Sequence, residues 1–301
     1  MKYLYQTDYP YNPDLILGAI IGDCLGSPYE FPDKDAETLE PFELLHPEAC
    51  YTDDTVMTVA VMDWLLRAER YNLHDINKSK ELGNLLADIL REYYYKYPHA
   101  GYGGRIRKWF RGNDMFRDSF GNGSAMRVSP VSWWACTPEE AYRLAVISAQ
   151  PTHCHPDGVE GAVITALAGY YARTLCGSNP QFIIQYTLNN EFRKSSYFCD
   201  WTLNDIKKHG YHFDATCQGS VPEALICFIE GKDVVGSLQN AVDLRGDTDT
   251  MAAIACGIAE CYNGTLMTPE NVRKFVWKRL PDEFKDVITT FTRKVAERIR
   301  L

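Results

Sequence analysis

The feature that most constrains the fold is the helical spacing of apolar residues along almost the whole chain. In residues 55–69, Val56, Val59, Ala60 and Met62 recur at the intervals that place side chains on one face of an α-helix. Alternating strand patterns with paired turn signals are scarce. We therefore predict an all-α fold of about a dozen orthogonally packed helices. The predicted helical segments are residues 15–24, 55–69, 81–95, 139–149, 159–175, 221–230, 249–262, 270–279 and 282–300.

The chain of 301 residues is long enough for one large domain or two ordinary ones. No low-complexity linker divides it, so we predict a single globular domain over residues 1–301. The least regular text, residues 177–220, predicts either an insertion or a lid.

The composition excludes several classes of protein. With 46% hydrophobic and 24% charged residues, the chain is typical of soluble globular proteins. A net charge of −9 without a basic stripe argues against binding to a nucleic-acid backbone. The longest clean apolar stretch, Leu15–Ile21, is far short of the roughly 20 residues that a membrane span needs. Because no signal core is visible and ten cysteines occur without a CxxC pair, we expect a cytoplasmic protein with reduced thiols.

Two acidic clusters each precede a strongly helical run. They are Thr52-Asp53-Asp54-Thr55 and Asp247-Thr248-Asp249-Thr250. Helix capping would explain either cluster alone, because Asp and Thr are favoured N-cap residues and negative charge suits a helix N-terminus. A cap needs only one side chain, however, whereas each cluster offers two carboxylates and two hydroxyls.

The clusters are also suited to binding metal ions. Carboxylates buried near one another repel and are costly to desolvate, and a pair of divalent cations removes both difficulties. Oxygen ligands without Cys or His select hard ions, Mg²⁺ or Mn²⁺ before zinc. Two such ions roughly 4 Å apart could hold a water and clamp the oxygens of a substrate. The spacing in the sequence does not establish that the two clusters meet in space.

Three loops offer further candidate contacts to a ligand. Gly101–Gly104 and Gly121–Ser124 allow a backbone to approach a ligand closely, although short glycine-rich loops are often only turns. Ser119 and Asn122 add neutral donors suited to hydroxyls or phosphate. His153 and His155 lie in a loop before a helix, where they are either exposed polar residues or ligand contacts. Glu30 is either a surface acid or a general base on a mobile loop.

The combination of these motifs resembles the ADP-ribosylglycohydrolases, the family that includes the dinitrogenase reductase-activating glycohydrolase, and in particular its compact bacterial members. TDDT paired with a distant GDTDT is specific in combination, though neither half is specific alone. The matching segments are GAIIGDCLGSPYEF at 18–31, YTDDTVMT at 51–58, YPHAGYGG at 97–104, GNGSAMRVSP at 121–130, THCHPDGVEGA at 152–162, CQGSVPEAL at 217–225 and GDTDTMAAIACGIAECYNG at 246–264.

The resemblance implies an all-α globule with a binuclear Mg²⁺ centre, in which Mn²⁺ is a possible substitute. It implies Glu30 as the gating or catalytic acid, with Asp53 and Asp54 positioning the ribose and water. The implied metal ligands are Thr52, Asp53, Asp54, Asp247, Asp249 and Thr250. The implied ADP-ribose contacts are Gly103, Gly104, Ser119, Asn122, Gly123 and His153.

The activity implied by the resemblance is hydrolysis of an α-linked ADP-ribose at C1″ of the distal ribose, with arginine as the first candidate linkage and serine as the second. The expected partners are ADP-ribosylated proteins or small-molecule conjugates and ADP-ribose itself, with no membrane, and with nucleic acid only as a modified substrate. Arg245 stands where the family motif has glycine, and Phe120 where some relatives have tyrosine. Arg245 keeps one alternative open, an ADP-ribose-binding protein without turnover. A second alternative, a two-metal phosphoesterase, stays open because it would use the same ligands.

Overall fold

The computed structural model describes residues 12, 14–30, 41–71, 76–175, 177–191 and 201–299. These residues form helices and connecting loops, and the part described contains no β-strand, only two isolated bridges. The prediction of an all-α fold is confirmed. The α-helices in chain order are α1 Gly18–Gly26, α2 Asp53–Ala68, α3 Ser79–Lys96, α4 Gly104–Phe110, α5 Gly123–Met126, α6 Ser129–Trp134, α7 Pro138–Ala149, α8 Pro156–Thr174, α9 Pro180–Glu191, α10 Leu203–Lys208, α11 Cys217–Gly231, α12 Val234–Leu244, α13 Thr248–Asn263, α14 Glu270–Trp277 and α15 Asp282–Ile299. Short 3₁₀ helices span Ser27–Tyr29, Ile76–Lys78, Asp114–Arg117 and Thr265–Met267.

Helices α1 and α13 form the centre of the molecule. Every residue of α1 is buried, and so is every residue of α13 from Thr248 to Cys261. A helix surrounded by other helices needs apolar residues on all faces, which explains the absence of a polar stripe in both sequences. Helices α8, α11 and α12 pack against α13, while α2 packs against α1, α3 and α15.

A stripe of glycines lets α1 lie directly on the backbone of α13. Gly18, Gly22 and Gly26 recur every fourth residue and therefore share one face of α1. A Cβ atom added to Gly22 would lie 2.2 Å from the carbonyl oxygen of Ala252. Only glycine permits this approach, so the stripe fixes how closely the two helices pack.

A buried ion pair holds the start of α1. Leu17, at the N-cap position, supplies no capping side chain. The carboxylate of Glu260 on α13 instead accepts the N–H of Leu17 at 3.1 Å, and Arg273 donates to the same carboxylate at 3.1 Å. Both charged side chains are almost fully buried, and their mutual pairing offsets much of the cost of desolvation.

The positions of the long helices agree with the sequence prediction, apart from shifts at their ends. The segment predicted from residue 15 begins as a helix only at Gly18. Helices α4, α5 and α6 were not predicted, because four to seven residues are too few to show a helical period. Helices α9 and α10 lie in the segment 177–220 predicted as an insertion or lid, and α12 was also missed.

Two further expectations concern the segment 177–220 and the crossing of a membrane. Residues 192–200 of the segment lie outside the described residues, and its proposed role as a lid stays a prediction. None of the described helices is both long enough and apolar enough to cross a membrane.

Candidate active site

The two acidic clusters, far apart in the sequence, line a single cavity of about 700 Å³. Oxygen atoms of Glu30, Asp247 and Asp249 lie within 4.8 Å of one another. All the residues that the sequence suggested as metal ligands or acids line this cavity, namely Glu30, Thr52, Asp53, Asp54, Asp247, Asp249 and Thr250. The juxtaposition that spacing alone could not establish is therefore present in the fold.

A buried carboxylate on α1, Asp23, holds the first cluster in place. Its oxygens accept the backbone N–H of Thr52 at 2.9 Å, the hydroxyl of Thr52 at 2.7 Å and the backbone N–H of Thr55 at 3.0 Å. Asp23 is fully buried, so these charge-assisted bonds form away from water. The turn that begins α2 is thereby fastened to α1.

Capping does not account for the acids of the first cluster. The hydroxyl of Thr52 is the N-cap acceptor of α2, since it takes the N–H of Asp54 at 3.3 Å. Asp54 is buried, and its Oδ2 atom has no hydrogen-bond partner among the described residues. A buried carboxylate oxygen without a donor is costly, which indicates that this atom is arranged for a ligand.

The second cluster opens α13 and is held from the opposite wall of the cavity. Asp247 occupies the N-cap position but makes no capping bond with its side chain. Its Oδ2 atom instead accepts the amide of Asn122 at 2.6 Å, and the same amide reaches the hydroxyl of Ser220 at 2.9 Å. Asn122, predicted as a substrate contact, thus also positions an acid of the cluster.

The carboxyl groups of the site have raised pKa values. Burial raises the pKa of Asp23 and of Asp249 to about 7, and the neighbouring Asp249 and Asp247 carboxylates add to the respective shifts. Burial, followed by the charges of Asp249 and Asp247, raises the pKa of Glu30 to about 9. The pKa values of Asp53 and Asp54 are also well above their usual range, for the same two reasons.

This site fits divalent metal ions. It concentrates mutually repelling carboxylates in a buried place, and cations relieve that repulsion. The available donors are carboxylate and hydroxyl oxygens, which suit hard ions such as Mg²⁺ and Mn²⁺. The oxygen of Asp54 that lacks a donor is a further observation that an ion would explain.

The glycine-rich loops form another part of the cavity wall. Gly103, Gly104, Ser119, Asn122, Gly123 and His153 all line the cavity. A Cβ atom at Gly123 would lie 3.1 Å from Cε1 of His153, so glycine leaves room for the imidazole ring. The hydroxyl of Ser119 accepts the N–H of Gly121 at 3.1 Å and so shapes the turn as well.

His153 is a buried wall residue. Its Nδ1 atom lies 2.7 Å from the hydroxyl of Thr152, which also accepts a bond of 2.7 Å from the guanidinium of Arg127. Burial lowers the pKa of His153 well below its usual value, and the charges of Arg127 and Arg105 act in the same direction. The lowered pKa favours the neutral form of the imidazole.

Of three further residues that the sequence singled out, two lie outside the cavity lining and one lies in it. The cavity lining among the described residues does not include His155, whose Nδ1 atom accepts the N–H of Asp157 at 3.3 Å and so caps α8. Nor does it include Arg245, which adopts a positive φ of 69° in the turn before Gly246. Phe120 does line the cavity and is exposed.

Sequence reasoning missed several residues of the site. Asp23 was the most visible of them, because an acid within an otherwise apolar helix has to serve a buried partner. Gly101 belongs to the glycine-rich loop that the sequence indicated, but its closeness to Asp53 was not predicted: it has a positive φ of 102°, and an added Cβ would lie 3.2 Å from the Asp53 carboxylate. The other lining residues that were not predicted as contacts are Met57, Arg105, Ile106, Met126, Arg127, Phe213, Ala215 and Thr216.

Comparison with known proteins agrees with this architecture. The chain matches the sequence model of the ADP-ribosylglycohydrolase family over residues 14–300. It is 28% identical to ADP-ribosylhydrolase ARH3 of Mus musculus over an alignment of 337 positions, which covers 90% of this chain and 87% of the mouse protein. It is also 28% identical to ADP-ribosylhydrolase ARH3 of Homo sapiens, covering 85% of this chain and 86% of the human protein.

A solved structure shows the same fold. It is described as an ADP-ribosylglycohydrolase-related protein complex and superposes with a TM-score of 0.67, covering 93% of this chain and 96% of its own, at 20% identity. Taken with the match over residues 14–300, these findings show that the chain belongs to the ADP-ribosylglycohydrolase family and is a glycohydrolase.

Proposed function

We propose that the protein removes ADP-ribose from an α-linked conjugate by metal-assisted hydrolysis at C1″ of the distal ribose. The observation that carries this proposal is the group of carboxylates gathered from α2, α13 and Glu30 in one cavity of about 700 Å³, a volume typical of small-ligand sites. The rest of the cavity is lined by glycine-rich loops that suit a nucleotide diphosphate. The relatives named ADP-ribosylhydrolase support the same activity.

The residues that would hold two divalent ions are Thr52, Asp53, Asp54, Asp247, Asp249 and Thr250. When bound, such ions orient sugar hydroxyls and a water and stabilise charge that develops as the glycosidic bond loosens. We infer Mg²⁺ as the native ion, with Mn²⁺ as a substitute, from the oxygen-only donor set.

The acids of the chain supply the proton transfer. Glu30 follows the 3₁₀ turn at the end of α1 and places its carboxylate beside Asp247 and Asp249. The raised pKa of Glu30 would fall once bound cations neutralise Asp247 and Asp249, so that its carboxylate could accept a proton from the attacking water as a general base and return a proton to the leaving group. Asp53 and Asp54 bound the same space and orient the ribose and the water.

Analysis of the products from a panel of conjugates tests this function. Peptides carrying ADP-ribose on arginine or on serine are incubated with the protein in EDTA and after Mg²⁺ is restored. Release of free ADP-ribose only with Mg²⁺ supports the proposal, and the preferred peptide identifies the linkage. Release of AMP or phosphate would indicate a phosphoesterase. Tight binding of ADP-ribose without release from any conjugate would indicate a binding protein.

A further inference from the structure

A short basic surface lies next to the cavity, on α4 and the 3₁₀ turn Asp114–Arg117. Residues 105–118 contain five basic and two acidic residues in a chain whose net charge is −9. The basic side chains are all exposed, and none forms an ion pair with another described residue; they are Arg105, Arg107, Lys108, Arg111 and Arg117. The positive charge of this surface is therefore not neutralised by the described part of the fold.

Three of these side chains form a row. Arg105, Lys108 and Arg111 are spaced by three residues; the first two share one face of α4, and Arg111 is the C-cap that follows the helix. The ring of Phe116 lies 5.6 Å from the guanidinium of Arg105 and 4.9 Å from the ammonium of Lys108, which orders both cations. We call Arg105, Lys108 and Arg111 the basic row.

The basic row begins at the cavity. Arg105 lines the cavity and donates to the carbonyl of Asp118 at 2.7 Å. The loop that leads to it starts at Gly101, which lies against the carboxylate of Asp53. Only a few residues of backbone thus separate the acids that would act on the glycosidic bond from the first cation of the row.

The length of the row indicates the size of its partner. From Arg105 to the C-cap residue Arg111 the chain rises about 9 Å at the helical spacing, which matches roughly three residues of an extended peptide. A nucleic acid carries its charges along a much longer path, and the net charge of −9 disfavours such a long polyanion on the rest of the protein. A short acidic peptide segment fits the observations better.

We propose that the basic row docks an acidic segment next to the ADP-ribosylated residue of a target protein. This inference rests on the proposed function, because it assigns the substrate class to the same cavity. The row would act through charge pairing at the rim, so it raises the association of acidic targets and its effect falls as salt screens the charges.

The test compares ADP-ribosylated peptides that differ only in their flanks, which are rich in glutamate, glycine or lysine. We expect kcat/KM to be about tenfold higher for the glutamate peptide than for the lysine peptide at low salt, and the difference to shrink at high salt. Lys108→Glu should abolish or reverse this preference, whereas Lys108→Arg should keep it. Lys278→Glu, the same charge change at an exposed lysine of another helix end, should leave it unchanged.

Several outcomes would overturn the inference. One is equal kcat/KM for the three flanks, and another is an unchanged preference in a folded Lys108→Glu variant. Preference for an ADP-ribosylated oligonucleotide that Lys108→Glu removes would assign the surface to nucleic acid instead. If the wild-type protein cleaves no conjugate, the proposed function fails. Fluorescence anisotropy can then measure the binding of the same peptides to Asp249→Asn, and this binding still decides whether the flanks matter.

Discussion

Replacing Gly22 by alanine tests whether the contact between α1 and α13 organises the site. The added Cβ would lie 2.2 Å from the carbonyl oxygen of Ala252 and 2.7 Å from the N–H nitrogen of Ala253. These are backbone atoms of a buried helix, so no flexible side chain can move aside, and the helices must separate by about 1 Å to restore an ordinary contact. Overpacking in a core costs typically about 1–3 kcal/mol, and we expect the upper end of that range here.

The assay is urea unfolding followed by circular dichroism, with Gly83→Ala as the matched control. Gly83 is also a helical glycine, but a Cβ there would meet no atom within 4 Å. Alanine at that place should therefore stabilise the protein by about 0.5–1 kcal/mol through helix propensity alone. Gly22→Ala should also weaken Mg²⁺ binding measured by calorimetry. If Gly22→Ala proved as stable as Gly83→Ala, the close packing of α1 on α13 would be refuted.

Three further predictions concern the charges. Asp23→Asn can keep one oxygen for the backbone N–H groups of Thr52 and Thr55, but it sets an NH₂ group against the hydroxyl of Thr52, so Mg²⁺ affinity by calorimetry should fall about 10–100-fold while Asp14→Asn, an exposed control, leaves it unchanged. Asp249→Asn should lower kcat about a hundredfold or more with the fold retained, and full activity would contradict its role. Burial raises the pKa of Glu223 from 4.5 to about 7, so stability present below pH 4.5 is lost as the pH rises through 7, by at most about 3 kcal/mol. Glu223→Gln should flatten that decline in urea unfolding at pH 5 and pH 8, and an unchanged slope would contradict it.

The sequence predicted the long helices and the members of the acidic clusters because both depend on local information. A helical period is visible in α2 and α13 without knowledge of their neighbours. Two carboxylates beside two hydroxyls exceed what capping needs, which pointed to a metal site before the fold was known. The structure brings these residues into one cavity, and their roles as ligands remain predictions that the variants above test.

The rest could not be predicted because it depends on contacts between distant segments. In the sequence Asp23 is a single acid within an apolar helix. Its partners, the backbone N–H groups of Thr52 and Thr55, are brought to it only by the fold. His155 shares a loop with His153, yet only His153 reaches the cavity, and the turn that opens α8 decides this. The basic row was not predicted because its positive charge is small beside the acidic residues of the whole chain. It becomes visible only when the structure shows that these basic side chains are exposed at α4.

Helix α1 sets the geometry of the site from three directions. Asp23 accepts the hydroxyl of Thr52 and so holds the turn that begins α2. The glycine face brings α13 so close that a Cβ on Gly26 would lie 2.9 Å from the Cα atom of Asp249. The 3₁₀ turn that follows α1 leads directly to Glu30. The three residues that make these contacts, Asp23, Gly26 and Glu30, lie within eight residues of continuous helical chain. Backbone packing therefore sets the spacing of the acids, and we expect the helices to keep their arrangement when the ions are removed. EDTA should therefore abolish activity, and added Mg²⁺ should restore it. The helical circular dichroism should not change, in contrast to small domains that unfold when their metal is removed.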